Sequence, residues 1–144
     1  NTQSCGCLSR EMHSLPTGEG AFNALYRSYK QAARRRGLDW LLDKQQFRDM
    51  TGQPCYYCGA NPSQKYNTGR RKEKVFGNGA YLYNGIDRVD PTLGYIPENV
   101  VSCCSHCNYA KHEMNLEEFV EWIKSVYVHL VKECVWDAQK SLPC

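Results

Sequence analysis

Two features are missing from this 144-residue sequence, and each narrows the reading. No uninterrupted apolar run approaches the ~20 residues of a helical membrane span. The first ten residues, NTQSCGCLSR, lack the basic and then apolar pattern of a secretory signal, so a reducing, cytoplasmic setting is expected. There is no internal repeat and no low-complexity segment. The net charge, +3, is small, and 42% hydrophobic with 23% charged residues is ordinary for a globular domain. The length suits one domain with one core.

Cysteine, by contrast, is plentiful, and its count of nine is odd. A secreted disulfide framework would favour an even number. Two Cys-x-x-Cys knuckles stand out, Cys55-Tyr56-Tyr57-Cys58-Gly59 and Cys104-Ser105-His106-Cys107. Each knuckle presents two sulfurs to one side of a metal, so Cys55, Cys58, Cys104 and Cys107 suit tetrahedral zinc. Cys103 competes with Cys104, but only Cys104 gives the two-residue loop. Cys5, Cys7 and His13 lack a second pair nearby, and with Cys134 and Cys144 they are read as ordinary side chains.

Along the chain, residues 1–16 have little periodicity and are expected to be an irregular lead-in to a single domain over 17–144. From Ala21 to Arg36, Phe22, Leu25, Tyr26, Tyr29 and Ala33 recur at helical spacing, with Gly37 as the stop. Asp43 and Gln46 form a capping-box signature for a short helix through Met50, which completes a helical leader over 20–50. Residues 61–79 are polar and basic and read as a long loop. Tyr81–Tyr83 and Ile86–Val89 flank Asn84-Gly85, a hairpin marker. Val100–Ser102 reads as a strand leading to the second knuckle, and Cys107 as the start of a helix. Asn115 with Glu118 opens a last helix over 115–139, whose stripe from Leu116 to Val131 is expected to be core, with Trp122 adding to its packing. Lys and Arg cluster at 30–36 and 65–74, a hint of a polyanionic partner.

The order of knuckle, Ile86-Asp87-Arg88, Asn99, second knuckle and Asn108 resembles the ββα-metal core of HNH endonucleases, in the subgroup stapled by a four-cysteine zinc site. The block RSYKQAARRRGLDW before CYYCG is similar to the leader of phage and bacterial members, so the likeness runs over roughly residues 20–125. It implies an α+β fold: a small ββα-metal (His-Me finger) core over 54–113, N-terminal helices before it and a long C-terminal helix behind. It implies a DNA-cleaving enzyme of the cytoplasm of a bacterial or phage-infected cell, with structural zinc and a catalytic Mg²⁺ or Mn²⁺. Asp87 and Asn108 would hold that ion, and Asn99 would hold the loop and orient the strand. DNA would lie along the hairpin and helix, contacted by Arg34, Arg35, Arg36, Arg70, Arg71, Lys72 and Lys111.

One position departs from the family. Where it has a general-base histidine this chain has Arg88, which stays protonated at ordinary pH. Three readings are open. Arg88 stabilises the transition state while His106, His112 or a metal-bound water supplies the base; Arg88 is perturbed enough to activate water itself; or the site binds DNA without cutting. The plainer alternatives are that Asp87 caps a turn or pairs with Arg88 and that Asn108 caps the helix, while His129 suits a packed or surface position.

Overall fold

Helix α1 (Glu19–Arg35) forms on the predicted stripe and buries Ala21, Phe22, Leu25 and Ala33. In the computed structural model, which describes residues 17–67 and 79–133, it ends where Gly37 takes φ 69°. There Gly37 N–H bonds Arg34 O at 3.1 Å and Leu38 N–H bonds Ala33 O at 3.0 Å, closing the helix with a left-handed residue that glycine adopts freely. Helix α2 (Lys44–Thr51) opens on the expected capping box, with Gln46 N–H donating to Asp43 Oδ1 at 2.8 Å and Asp43 N–H donating to Gln46 Oε1 at 2.9 Å.

The two helices meet on Phe47. Its ring is fully buried, with the rings of Tyr29, Tyr26, Trp40 and Phe22 centred 5.2–6.0 Å away. Tertiary packing of this kind, more than helix propensity, holds short helices in water. Phe47→Ala should therefore cost about 3–5 kcal/mol, read by denaturant unfolding, because four aromatic neighbours cannot collapse into the space.

Two small antiparallel sheets follow. Strand β1 (Gln64–Tyr66) pairs with β2 (Tyr81–Tyr83), Lys65 opposite Leu82. Strand β3 (Gly85–Arg88) pairs with β4 (Val100–Cys103), Gly85 opposite Cys103 and Arg88 opposite Val100. A 3₁₀ turn (Pro97–Asn99) leads into β4, and helix α3 (Ser105–Lys111) follows it directly. The result is a mixed fold of helices and two-stranded sheets in which a ββα unit, β3–β4–α3, sits beside the aromatic core. Among the described residues no helix is long and apolar enough to cross a membrane.

Four expectations are corrected. Residues 61–79 are not all loop, since β1 lies within them. Asn84-Gly85 does not turn a hairpin: β2 and β3 belong to different sheets. Asn84 is instead fully buried, its N–H bonding Thr51 O at 2.9 Å and its Nδ2 bonding Gln53 O and Ala60 O at 3.0 Å. Helix α3 begins at Ser105, capped by Cys104, rather than at Cys107. Helix α4 (Leu116–Val128), continued by a π turn (His129–Glu133), has the predicted Asn115–Glu118 capping box but is not core. Phe119 is its one buried side chain, meeting Tyr57 at 5.4 Å between ring centres, and Trp122 stands 46% exposed.

Candidate metal centre and active-site cleft

The first knuckle hangs between α2 and β1; Tyr56 N–H bonds Ser102 O and ties it to β4, while Cys55 N–H bonds Ala60 O and closes the knuckle on itself, both at 2.8 Å. The second lies at the turn from β4 into α3, where Cys104 Sγ accepts the N–H of Cys107 at 3.4 Å. The sulfurs of Cys55, Cys58, Cys104 and Cys107 all lie within 4.8 Å of one another, and Cys58 and Cys104 are 3.7 Å apart. Zn–S bonds of ~2.3 Å at tetrahedral angles would space the sulfurs by about 3.8 Å, so the group fits a metal such as zinc.

Burial alone would raise the Cys55 thiol, but backbone N–H groups of Cys104, Cys58 and Tyr57 and the Cys58 side chain bring it down to about 6. Burial and the neighbouring sulfurs push Cys107 up instead. Several sulfurs crowded together in this way make a set that a cation would relieve. Cys103 stands outside it: fully buried, it donates to Cys104 O at 3.4 Å, and burial holds its thiol protonated.

Beside the ββα unit opens a cleft of about 460 Å³. Asp87 and Arg88 line it from β3, Asn108 from α3 and His112 from the turn beyond, while Tyr29, Arg36 and Tyr95 close the far wall. Gly85 lets that wall come near, since a Cβ there would stand 2.9 Å from the Tyr29 hydroxyl. Burial drives the Tyr29 phenol upward, so it remains neutral.

Asp87 is nearly buried and held at one oxygen. Tyr57 Oη donates to Oδ2 at 2.7 Å, and Lys111 Nζ lies 3.1 Å from the same atom while donating to Arg88 O at 2.9 Å. Burial first, and then the bond to this carboxylate, push the Tyr57 phenol far up, so it stays a donor. Both contacts use Oδ2. Asn108 donates its Nδ2 to Ile86 O at 3.3 Å, which turns the amide oxygen away from the strand. A carboxylate and an amide oxygen opening on one cleft are the donors a hard divalent ion takes.

Arg88 does not act alone in the cleft. Its Nη1 donates to Pro91 O and, at 2.9 Å, to Leu93 O. Its guanidinium and that of Arg36 each lie 5.6 Å from the centre of the Tyr95 ring, so one aromatic carries two cations. Asn99 sits beneath the same loop, donating to Asp90 O at 3.0 Å and Gly94 O at 3.1 Å and accepting from Asp90 N–H at 2.8 Å.

His112 is the one described non-glycine residue with positive φ, at 50°, ψ −116°. Met114 N–H bonds Lys111 O at 2.9 Å, so His112 occupies the first corner of a type II′ turn, a place that favours glycine. Strain of this kind costs on the order of 1–3 kcal/mol and gathers at functional sites. His106 is exposed and is not among the residues lining the cleft.

The predicted DNA contacts divide. Arg34 and Arg35 are exposed at the end of α1, and Arg36 reaches the cleft. Arg70, Arg71 and Lys72 lie outside the described residues, as do Cys5, Cys7, His13, Cys134 and Cys144. Lys111 is a correction: wholly buried, it faces Asp87 and has no surface to offer a phosphate. Tyr57 and Tyr95 were not singled out by sequence. Tyr57 carries no signal beyond its place inside a knuckle, and nothing local marks Tyr95, whose place comes from the bridge it forms with Trp40.

Comparison with known proteins adds two likenesses. No protein-family model matches the chain. Uncharacterized protein R423 of Acanthamoeba polyphaga mimivirus is 34% identical over 98 residues, which cover 68% of this chain and 16% of that protein. The chain thus spans about one sixth of the length of the curated relative it matches. The rare-cutting HNH restriction endonuclease PacI superposes with a TM-score of 0.49 at 20% identity, over 73% of this chain and 75% of that one.

Proposed function

We propose that this cleft hydrolyses DNA phosphodiester bonds with a divalent metal ion, on an HNH-type ββα unit pinned by structural zinc at Cys55, Cys58, Cys104 and Cys107. The observation that carries the reading is that Asp87 on β3 and Asn108 on α3 open on one cleft together with two guanidiniums and a strained histidine. Asp87 and Asn108 would hold Mg²⁺ or Mn²⁺, which when bound supplies charge to the departing oxygen. Arg36 and Arg88, steadied on Tyr95, draw the phosphate into the cleft. Tyr57 and Lys111 fix the Asp87 carboxylate through Oδ2. His112 takes the proton of the attacking water, the task that an arginine tied to two carbonyls is unsuited to perform.

The test is cleavage of supercoiled plasmid with Mg²⁺ or Mn²⁺ added to zinc-loaded protein, against no added ion. Cutting that appears only with the added ion supports the reading. His112→Gly should then lower the cleavage rate by about 10²–10⁴-fold. Its melting temperature should hold or rise, because glycine relieves the turn. Full activity in this variant would remove His112 from the chemistry.

A second reading, a zinc-ribbon DNA-binding module without catalysis, is favoured by Arg88, whose guanidinium braces the 91–93 loop. It predicts duplex binding that weakens steeply with salt and no cutting with any ion.

A further inference from the structure

Helix α4 carries a face with no partner among the described residues. Leu116, Val120, Ile123, Tyr127 and Leu130 follow one another at steps of four, three, four and three, the a/d spacing of a coiled-coil seam. Val120, Ile123, Tyr127 and Leu130 are 39–64% exposed, and Trp122 and Val126 flank them at 46% and 38%. A groove of about 310 Å³ runs along the same face between Trp122 and Val131. Side chains of this size, half exposed, present on the order of 500 Å² in one patch, near the upper end of what a monomer leaves uncovered.

We infer that α4 pairs with α4 of a second copy of this chain, antiparallel, through this seam. The argument for self-pairing is the seam itself, since a 3,4 spacing places knobs from an identical helix into the grooves between its own. Doubled, the patch reaches on the order of 1,000 Å², the threshold of a specific interface. The direction follows from charge. In this register Glu117 and Lys124 take the e positions beside the seam, while Glu118 and Glu121 take the outer f and b positions. A parallel pair sets e against g, where this helix has only Phe119 and Val126; an antiparallel pair sets e against e, so Glu117 of each copy meets Lys124 of the other. The one buried residue, Phe119, points to Tyr57 and leaves the seam free.

Sedimentation velocity on the whole chain reads this directly and does not depend on what the cleft does. The expected result is a species of twice the chain mass, with Ile123→Glu and Leu130→Glu each raising its dissociation constant at least about tenfold. Circular dichroism should not change, because both positions are exposed. A chain that stays monomeric, whether another segment of its own or a different protein covers the face, overturns the inference. So does a dimer indifferent to both substitutions. Mixing wild type with Glu117→Lys/Lys124→Glu tests direction: a deficit of mixed dimer supports the antiparallel pair, and a statistical mixture overturns it.

Discussion

Stripped of metal by a chelator, or carrying Cys104→Ser, the protein is expected to lose tens of degrees of melting temperature and all cleavage activity together. The reason lies in what the four sulfurs hold. Cys55, Cys103 and Cys104 make up the buried centre of this half of the chain, with Tyr57 and Cys107 packed against them, and no aliphatic side chain belongs to that cluster. Two-stranded sheets do not stand alone in water, and α3 is only 7 residues long. Metal binding contributes about 10–16 kcal/mol of apparent folding free energy in zinc-finger peptides, far more than such a cluster could supply by burial. The loss reaches the cleft by a short route: Tyr57 lies between Cys55 and Cys58, and its hydroxyl holds Asp87 at 2.7 Å. Cys103→Ser is the control, since its sulfur stands outside the group, and it should keep one metal per chain. Elemental analysis beside scanning calorimetry checks both. A metal-free protein with an unchanged melting temperature would sink the assignment.

Local signals in the sequence carried the parts of the fold with local causes. The two capping boxes, the Gly37 stop and the stripe of α1 each depend on residues within one or two turns of one another, and each is present. The spacing of the knuckles was enough to group four sulfurs. Misreadings came where a distant partner decides. Asn84-Gly85 has turn chemistry, yet the Asn84 amide is claimed by Gln53 and Ala60, carbonyls that no local pattern connects to it. Lys111, the last residue of α3 and its one lysine, reads as a surface cation until β3 brings Asp87 to it. The stripe of α4 was correctly periodic, but periodicity says only that a face is apolar. It does not say what covers it.

Asp87→Asn should abolish cleavage and, separately, destabilise the protein by about 3–5 kcal/mol, because it leaves Lys111 buried without its counter-charge. Lys111 has no exposed surface, and its remaining bond to Arg88 O is to a neutral carbonyl. An ammonium so placed retains its desolvation cost and loses the carboxylate that offset it. Lys111→Met, close in volume, should cost stability in the mirror sense by leaving Asp87 with Tyr57 alone. The double variant Asp87→Asn/Lys111→Met removes both charges at once and should recover most of the loss, since replacing a whole buried pair with uncharged groups is often neutral. It should still not cut DNA, because the amide that replaces Asp87 is a weaker ligand for a hard divalent ion. A double-mutant cycle by denaturant unfolding, run beside the plasmid assay, separates the two roles. Stability regained without activity places Asp87 in both the pair and the chemistry. Unchanged stability in Asp87→Asn would show that Lys111 does not depend on it, and residual cutting would take Asp87 out of the ion's first ligands.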